Sequence, residues 1–210
     1  MIGEEFKLLE QGKLLPLMEE FYSIQGEGAN AGKAAYFLRI GGCDVGCYWC
    51  DVKESWNPQF HPLTSVEQMI SNTAKYPAKQ VVITGGEPLI YNLDYLTALL
   101  HKESIKIFLE TSGSHPFSGE FDWICLSPKK QMRPLSQYYQ FAHELKIIIH
   151  DDSDFAWAEE NAEKVNLECK LYLQPEWSQI ENMLPKITNF IMENPKWMAS
   201  MQIHKYMNIP

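Results

Sequence analysis

An α/β fold on a mainly parallel sheet is what the sequence predicts, from three observations. Apolar β-branched runs alternate with stretches of helical apolar spacing from residue 34 onward, and that alternation implies crossover connections, which join parallel strands. Polar or glycine-bearing turns follow five of the strands, and in parallel α/β sheets such turns collect at one carboxyl rim. No internal repeat, low-complexity tract or domain-sized linker interrupts the 210 residues, which read as one domain, 1–210, long enough to bury a core.

AAYFLRI (34–40) reads as a buried strand leading into a cysteine-bearing loop. Thr64 and Glu67 make a candidate capping box that opens a helix running to about Lys75. KQVVIT (79–84) is a β-branched strand stopped by Gly85 and Gly86. Apolar spacing predicts a helix over 92–102, and IKIFLE (105–110), DWICLS (122–127) and HELKIIIH (143–150) are the next strands. Residues 153–164 read as helix, LYLQP (171–175) as extended, and 178–193 as a helix interrupted at Pro185. WMASMQIH (197–204) is the last candidate strand. The rim turns are the cysteine loop, Gly85-Gly86-Glu87-Pro88, Glu110-Thr111-Ser112-Gly113, Ser127-Pro128-Lys129 and Gln174-Pro175-Glu176.

Composition narrows the class. Hydrophobic residues make up 45% and charged residues 21%, the balance of a soluble globular protein. No window has the length of an apolar membrane span, and the acidic, polar start MIGEEFKLLEQGK lacks the features of a signal peptide. A reducing cytoplasm is the expected compartment, where clustered cysteines are ligands or redox groups more often than disulfides. The net charge of −9, with no basic stripe, argues against nucleic acid as a partner. A small anionic substrate needs only one or two well-placed cations and stays compatible.

Chemistry is concentrated in GGCDVGCYWCD, where Cys43, Cys47 and Cys50 have the spacing C-x3-C-x2-C. Three thiolates are one short of a closed tetrahedral site, so a four-iron cluster held by them keeps one iron open to another ligand. A structural zinc loop is the bland alternative. His61, the nearby histidine, sits between Phe60 and Pro62, while Cys125 and Cys169 are solitary residues in or beside apolar strands.

The cysteine spacing, with aromatic Trp49 before the last cysteine and GGEP after the next strand, resembles the radical S-adenosylmethionine superfamily. Within it, FYSIQGEGANAGKAAYFLRIGGC, LETSG (109–113), SPK (127–129), YLQPE (172–176) and the closing SMQIHKYMNIP resemble the 7-carboxy-7-deazaguanine synthase family of the queuosine pathway. The resemblance runs from about Phe21 to Pro210. It implies a modified, incomplete (β/α) barrel, a homodimer, and a [4Fe–4S] cluster whose open iron binds S-adenosylmethionine. It further implies conversion of 6-carboxy-5,6,7,8-tetrahydropterin to 7-carboxy-7-deazaguanine with loss of ammonia. Hydrogen would be abstracted from the pterin carbon that bears the carboxylate and later returned, so that S-adenosylmethionine is regenerated. A one-electron donor such as flavodoxin or ferredoxin is expected, and no acid–base dyad is required.

Site residues carry over by motif. Ile24, Gln25 and Gly26 match the substrate-contacting loop, and Glu27 would bind the guanidine-like part of the ring. Arg39 matches a ligand of the substrate carboxylate, the alternative being an ion pair at a strand end. Thr84 matches a substrate contact. Trp49, Cys50, Asp51, Gly86, Glu87, Ser127, Pro128 and Lys129 match the cofactor side, as do Gln174, Pro175, Glu176 and Trp177. Glu110 and Thr111 are candidates for ribose or amino-acid contacts, or are polar strand ends. Lys146, inside ELKIIIH, is either a snorkelling strand residue or part of the site. Pro210 matches a substrate contact, with the tail folding over the pterin; an added C-terminal tag would then cripple turnover.

One position departs from the pattern. The family's usual Asp-Thr after the last cysteine supplies a hydroxyl to Mg²⁺, whereas here Asp51 is followed by Val52. The resemblance still implies Mg²⁺ as a cofactor, held through water, Asp51 or a backbone carbonyl with weaker support, and reduced magnesium dependence is expected. Two rival functions share parts of the pattern: a glycyl-radical activating enzyme, which must seat a protein loop, and a non-catalytic zinc-binding interaction module.

Overall fold

The computed structural model describes residues 2–210. The chain begins with α1 (Ile2–Glu10) and then β1 (Leu14–Ile24), an eleven-residue strand in a region where the alternation pattern marks no element. β2 (Ala34–Ile40) returns antiparallel to β1 and delivers the chain to the cysteine loop. After β3 (Leu63–Ser65) and α2 (Val66–Thr73) come β4 (Gln80–Gly85), α3 (Asp94–Lys102), β5 (Lys106–Thr111) and β6 (Trp123–Leu126). The second half runs α4 (Gln137–Phe141), β7 (Glu144–Ile149), α5 (Ser153–Ala162), β8 (Lys170–Pro175), α6 (Ile180–Glu193), β9 (Trp197–Ala199) and α7 (Ile203–Met207).

All these strands lie in one nine-stranded sheet of order β3-β1-β2-β4-β5-β6-β7-β8-β9. From β2 to β9 every neighbouring pair is parallel, and only the β1 pairings are antiparallel. An open, mainly parallel sheet of this order is the incomplete barrel expected from the sequence.

The period-2 alternation of each strand sorts its side chains between two faces. Leu38, Ile40, Ile83, Ile107, Leu109, Leu145, Ile147 and Leu173 are buried in the main core with Leu96, Leu100, Trp157, Ala158, Met183 and Ile187 of the helices. On the opposite face Ala35, Phe37, Val82 and Phe108 form a smaller apolar cluster with Phe21 and Trp123. Farther along the same alternation come Arg39, Thr84, Glu110, Lys146 and Gln174. Along β2, β4 and β5 the inner face thus changes from apolar to polar or charged toward the carboxyl ends, whereas β7 carries buried Glu144 at its amino end and Ile148 near its carboxyl end.

Three boundaries differ from the sequence reading. α2 is capped by Ser65, whose Oγ accepts from Gln68 N at 3.3 Å; Thr64 donates instead to the Pro62 carbonyl. Pro185 lies within α6 without ending it. Pro185 and Glu181 are both exposed, so the carbonyl freed by the missing N–H faces water while Met183 and Ile187 keep the helix docked. The stretch 197–204 is not one strand. Ser200 Oγ donates to Gln174 Oε1 at 2.7 Å and Ile203 N bonds to Gly26 O at 3.0 Å, which turns the chain off the sheet and starts α7.

Candidate active site

The cysteine loop takes its shape from its backbone. Gly42 N bonds to Ser55 O at 2.6 Å, Cys43 N to Trp56 O at 3.1 Å and Cys50 N to Cys47 O at 3.0 Å. Gly42 has φ 111°, a conformation side chains disfavour. The turn after β4 then packs directly on this loop. Glu87 N bonds to Gly42 O at 2.9 Å, and a Cβ on Gly86 would lie 2.3 Å from that carbonyl oxygen and 2.6 Å from Cys43 Cβ. Gly86 is therefore where backbone meets backbone.

Below these two turns lies a cavity of about 430 Å³. Cys43, Cys47 and Cys50 line it, and all three are free thiols. Burial pushes the Cys43 and Cys47 thiols up, so a metal centre must displace protons to bind them. Among the described residues no group of three or more His, Cys, Asp or Glu could hold a single metal ion. A polynuclear iron–sulfur centre, which takes one thiolate per iron, makes a different demand: several thiols on one cavity, which Cys43, Cys47 and Cys50 supply.

Every residue carried over by motif lines this cavity except Pro128. Pro128 is buried outside the wall, because the flanking Ser127 and Lys129 turn their polar side chains inward. Lys129 Nζ donates to Ser127 Oγ at 2.6 Å and to Ser127 O at 2.7 Å, and it lies 5.7 Å from the centre of the Trp49 ring. Burial holds the Lys129 ammonium below its ordinary range. Arg39 both lines the cavity and pairs with Glu19, with Nε 2.6 Å from Oε1.

Glu87 has a structural task beside its place in the wall. At 1% exposure its carboxylate accepts from Thr111 Oγ1 (2.6 Å), Ser112 N (2.7 Å), Ser112 Oγ (2.5 Å) and Leu89 N (3.2 Å). It thereby ties the turn after β4 to the turn after β5. Thr111 contributes to the site through this bond.

Part of the cavity lining is ionic. Lys146, 4% exposed, donates to Glu27 at 2.5 Å and to Glu110 at 2.9 Å, while Gln25 Nε2 donates to Glu110 at 3.2 Å. Lys146 thus belongs to the site and does not snorkel. Burial pushes the Glu27 carboxyl up, but the Lys146 charge and hydrogen bonds from Lys146 and Gln202 outweigh it and hold the group at about 2. Between pH 4.5 and about 2 the unfolded chain therefore binds the proton that folded Glu27 refuses. This contribution to stability is complete above 4.5 and is lost as pH falls toward 2. Urea unfolding along an acid series should show a shallower loss of stability over that range in Glu27→Gln than in the parent.

Of the closing segment, sequence reasoning named Pro210 and missed Gln202, His204 and Lys205. All four line the cavity, and the Pro210 carbonyl accepts from Ser23 Oγ at 2.9 Å. His204 occupies the space beside Gly26, where a Cβ would come within 2.0 Å of its Nδ1. Lys205 Nζ is 2.9 Å from Asp51 Oδ2 and 4.7 Å from the centre of the Trp177 ring. The available signal was polar Gln, His and Lys spaced through an otherwise apolar tail.

The Radical SAM superfamily model matches residues 38–129, which include the three thiols, the turn after β4 and Lys129. A 7-carboxy-7-deazaguanine synthase of Flavobacterium psychrophilum is 54% identical over the whole of both chains. One from Synechocystis is 46% identical, over 92% of this chain and 93% of its own length. The crystal structure of QueE from Escherichia coli superimposes with a TM-score of 0.80 at 31% identity, covering 94% of this chain and 97% of the other. With a relative 54% identical over the full length of both chains and a solved structure that superimposes over 94% of this one, the chain belongs to the 7-carboxy-7-deazaguanine synthase family of radical S-adenosylmethionine enzymes.

Proposed function

We propose that this chain converts 6-carboxy-5,6,7,8-tetrahydropterin to 7-carboxy-7-deazaguanine with loss of ammonia, using S-adenosylmethionine catalytically. The observation that carries the reading is one cavity shared by three free thiols and an ionic wall of Glu27, Lys146 and Glu110. When bound, the cluster with S-adenosylmethionine supplies one-electron chemistry that removes hydrogen from carbon. The protein binds, orients and excludes water. Cys43, Cys47 and Cys50 would hold the iron–sulfur centre, while Gly86, Ser127, Lys129 and Gln174 to Trp177 would hold S-adenosylmethionine. Gln25 and Glu27 would read the polar edge of the heterocycle, and Arg39 would take its carboxylate. A donor of the flavodoxin or ferredoxin kind and a homodimeric assembly belong to the same proposal.

Anaerobic incubation of the reconstituted protein with carboxytetrahydropterin, reductant and S-adenosylmethionine tests it. Carboxydeazaguanine should accumulate without equivalent consumption of S-adenosylmethionine. Cofactor cleavage with no deazapurine would overturn the reading.

Magnesium is a separate matter, and the residues present fit it poorly. Val52 offers no oxygen, and the Asp51 carboxylate is engaged by Lys205 at 2.9 Å and Gln202 at 3.3 Å. Mg²⁺ demands near-octahedral oxygen coordination. Turnover should respond weakly to added Mg²⁺, and Val52→Thr should sharpen the response by about 10-fold in apparent affinity. Strict magnesium dependence of the parent would contradict this.

A further inference from the structure

A continuous run of hydrogen bonds links residues of the cavity lining and joins segments far apart in the chain. Gln25 Nε2 donates to Glu110, and Lys146 Nζ donates to Glu110 Oε2 and Glu27 Oε2. From Glu27 the run continues through Gln202 Nε2, 2.9 Å from Glu27 Oε1 and 3.3 Å from Asp51 Oδ2, to Lys205 Nζ on the same Asp51 oxygen. Lys146 stands at its centre, in mid-strand, with its side chain 5% exposed. Lysine is almost never found so buried unless paired. Two carboxylates meet it here, Glu27 from the loop after β1 and Glu110 from β5.

We propose that Lys146 is a positioning residue for the heterocycle: its ammonium keeps Glu27 ionised and fixed, so that both Glu27 oxygens remain acceptors toward a guanidine-type N–H edge. The inference rests on the pterin reading above, whose pyrimidinone ring carries such an edge. Each carboxylate oxygen has room for about two donors. Oε2 bonded to Lys146 and Oε1 bonded to Gln202 therefore each keep a free acceptor site for the ligand. A protonated Glu27 would set an O–H against the ligand's N–H groups, donor against donor.

The charges around Glu27 leave this task to Lys146. Glu27 is faced by Lys146 from β7, with Glu110 of β5 behind it, and by Gln202 and His204 from the closing segment. Lys205 is paired with Asp51 of the cysteine loop, and Arg39 of β2 with Glu19. Lys146 is also faced by Cys125 of β6 and by Glu144 of its own strand. Without Lys146, Glu27, Glu110 and Glu144 share a buried region with no cation bonded between Glu27 and Glu110, and a carboxyl there must take a proton.

The test compares the reconstituted holoenzyme with Lys146→Met and Lys146→Arg. Kinetics with carboxytetrahydropterin are followed between about pH 6 and 9, and carboxyl ionisation is read by difference infrared spectroscopy. In Lys146→Met the pterin KM should rise about 50-fold at neutral pH, kcat should fall less, and KM should recover as pH rises. Lys146→Arg should keep the parent's pH profile. The infrared spectrum of Lys146→Met should contain a protonated-carboxyl band that is absent from the parent and from the Lys146→Met/Glu27→Gln double variant. Should Lys146→Met not fold, Lys146→Gln carries the same test, since its amide donates but brings no charge. A parent-like pH profile, or no Glu27-dependent carboxyl band, overturns the proposal. If the parent itself makes no carboxydeazaguanine, the pterin reading falls, and the infrared comparison still decides the role of Lys146.

Discussion

Alanine at Cys47 is expected to give a folded chain that binds little iron and turns over at the assay background. Cys47 is 7% exposed and lines the cavity wall with Cys43 and Cys50. Its loss leaves two thiolates for a centre that already has one fewer cysteine than a closed four-iron site. The loop should nonetheless keep its shape, because its backbone bonds to Ser55 and Trp56 do not involve the thiol. Removing one sulfur from a small buried side chain costs about 1–2 kcal/mol. Thermal unfolding should therefore change little, while iron content after anaerobic reconstitution collapses. A variant with full iron content and parent turnover would remove this loop from the chemistry.

Alanine at Gly86 is expected to separate the thiols from their support. A Cβ there would lie 2.3 Å from the Gly42 carbonyl and 2.6 Å from Cys43 Cβ, and the first of these contacts is backbone that cannot swing aside. Relief requires the turn after β4 to move off the cysteine loop, which strains the Glu87 N to Gly42 O bond. Overpacking of this kind costs about 1–3 kcal/mol. The functional cost is greater, because a shift of about 1 Å at a site that works by positioning lowers rate by about 100-fold. The variant should retain its thiols by titration yet show low turnover and a perturbed cluster spectrum. Gly86→Ala with parent activity would mean that the two turns are not held in register.

These two positions were legible in the sequence because their information is local. Cys43, Cys47 and Cys50 fall on one loop by spacing alone, and GGEP marks the end of a β-branched strand. The parallel sheet was legible for the same reason, since alternation of apolar periods is read within windows of a dozen residues. β1 escaped because Pro16, Glu19 and Glu20 break its apolar pattern; it pairs with β2 through backbone bonds that sequence periodicity does not report. α7 escaped because 197–204 has strand-like composition, and only the long-range bonds of Ser200 and Ile203 turn the chain there.

By itself, the sequence determined the class of chemistry: a three-cysteine loop at the carboxyl rim of a parallel sheet, with QGEG and the closing segment as its companions. Only the tertiary structure decided how the charges are matched. Lys146 reaches Glu27 across 119 residues and Glu110 across 36, Asp51 is engaged by Lys205 across 154, and Glu87 is committed to holding two turns together. Spacing reports what neighbours along the chain can do. Whether a buried carboxylate stays ionised depends on which cation the fold brings to it, and that is a property of distance in space.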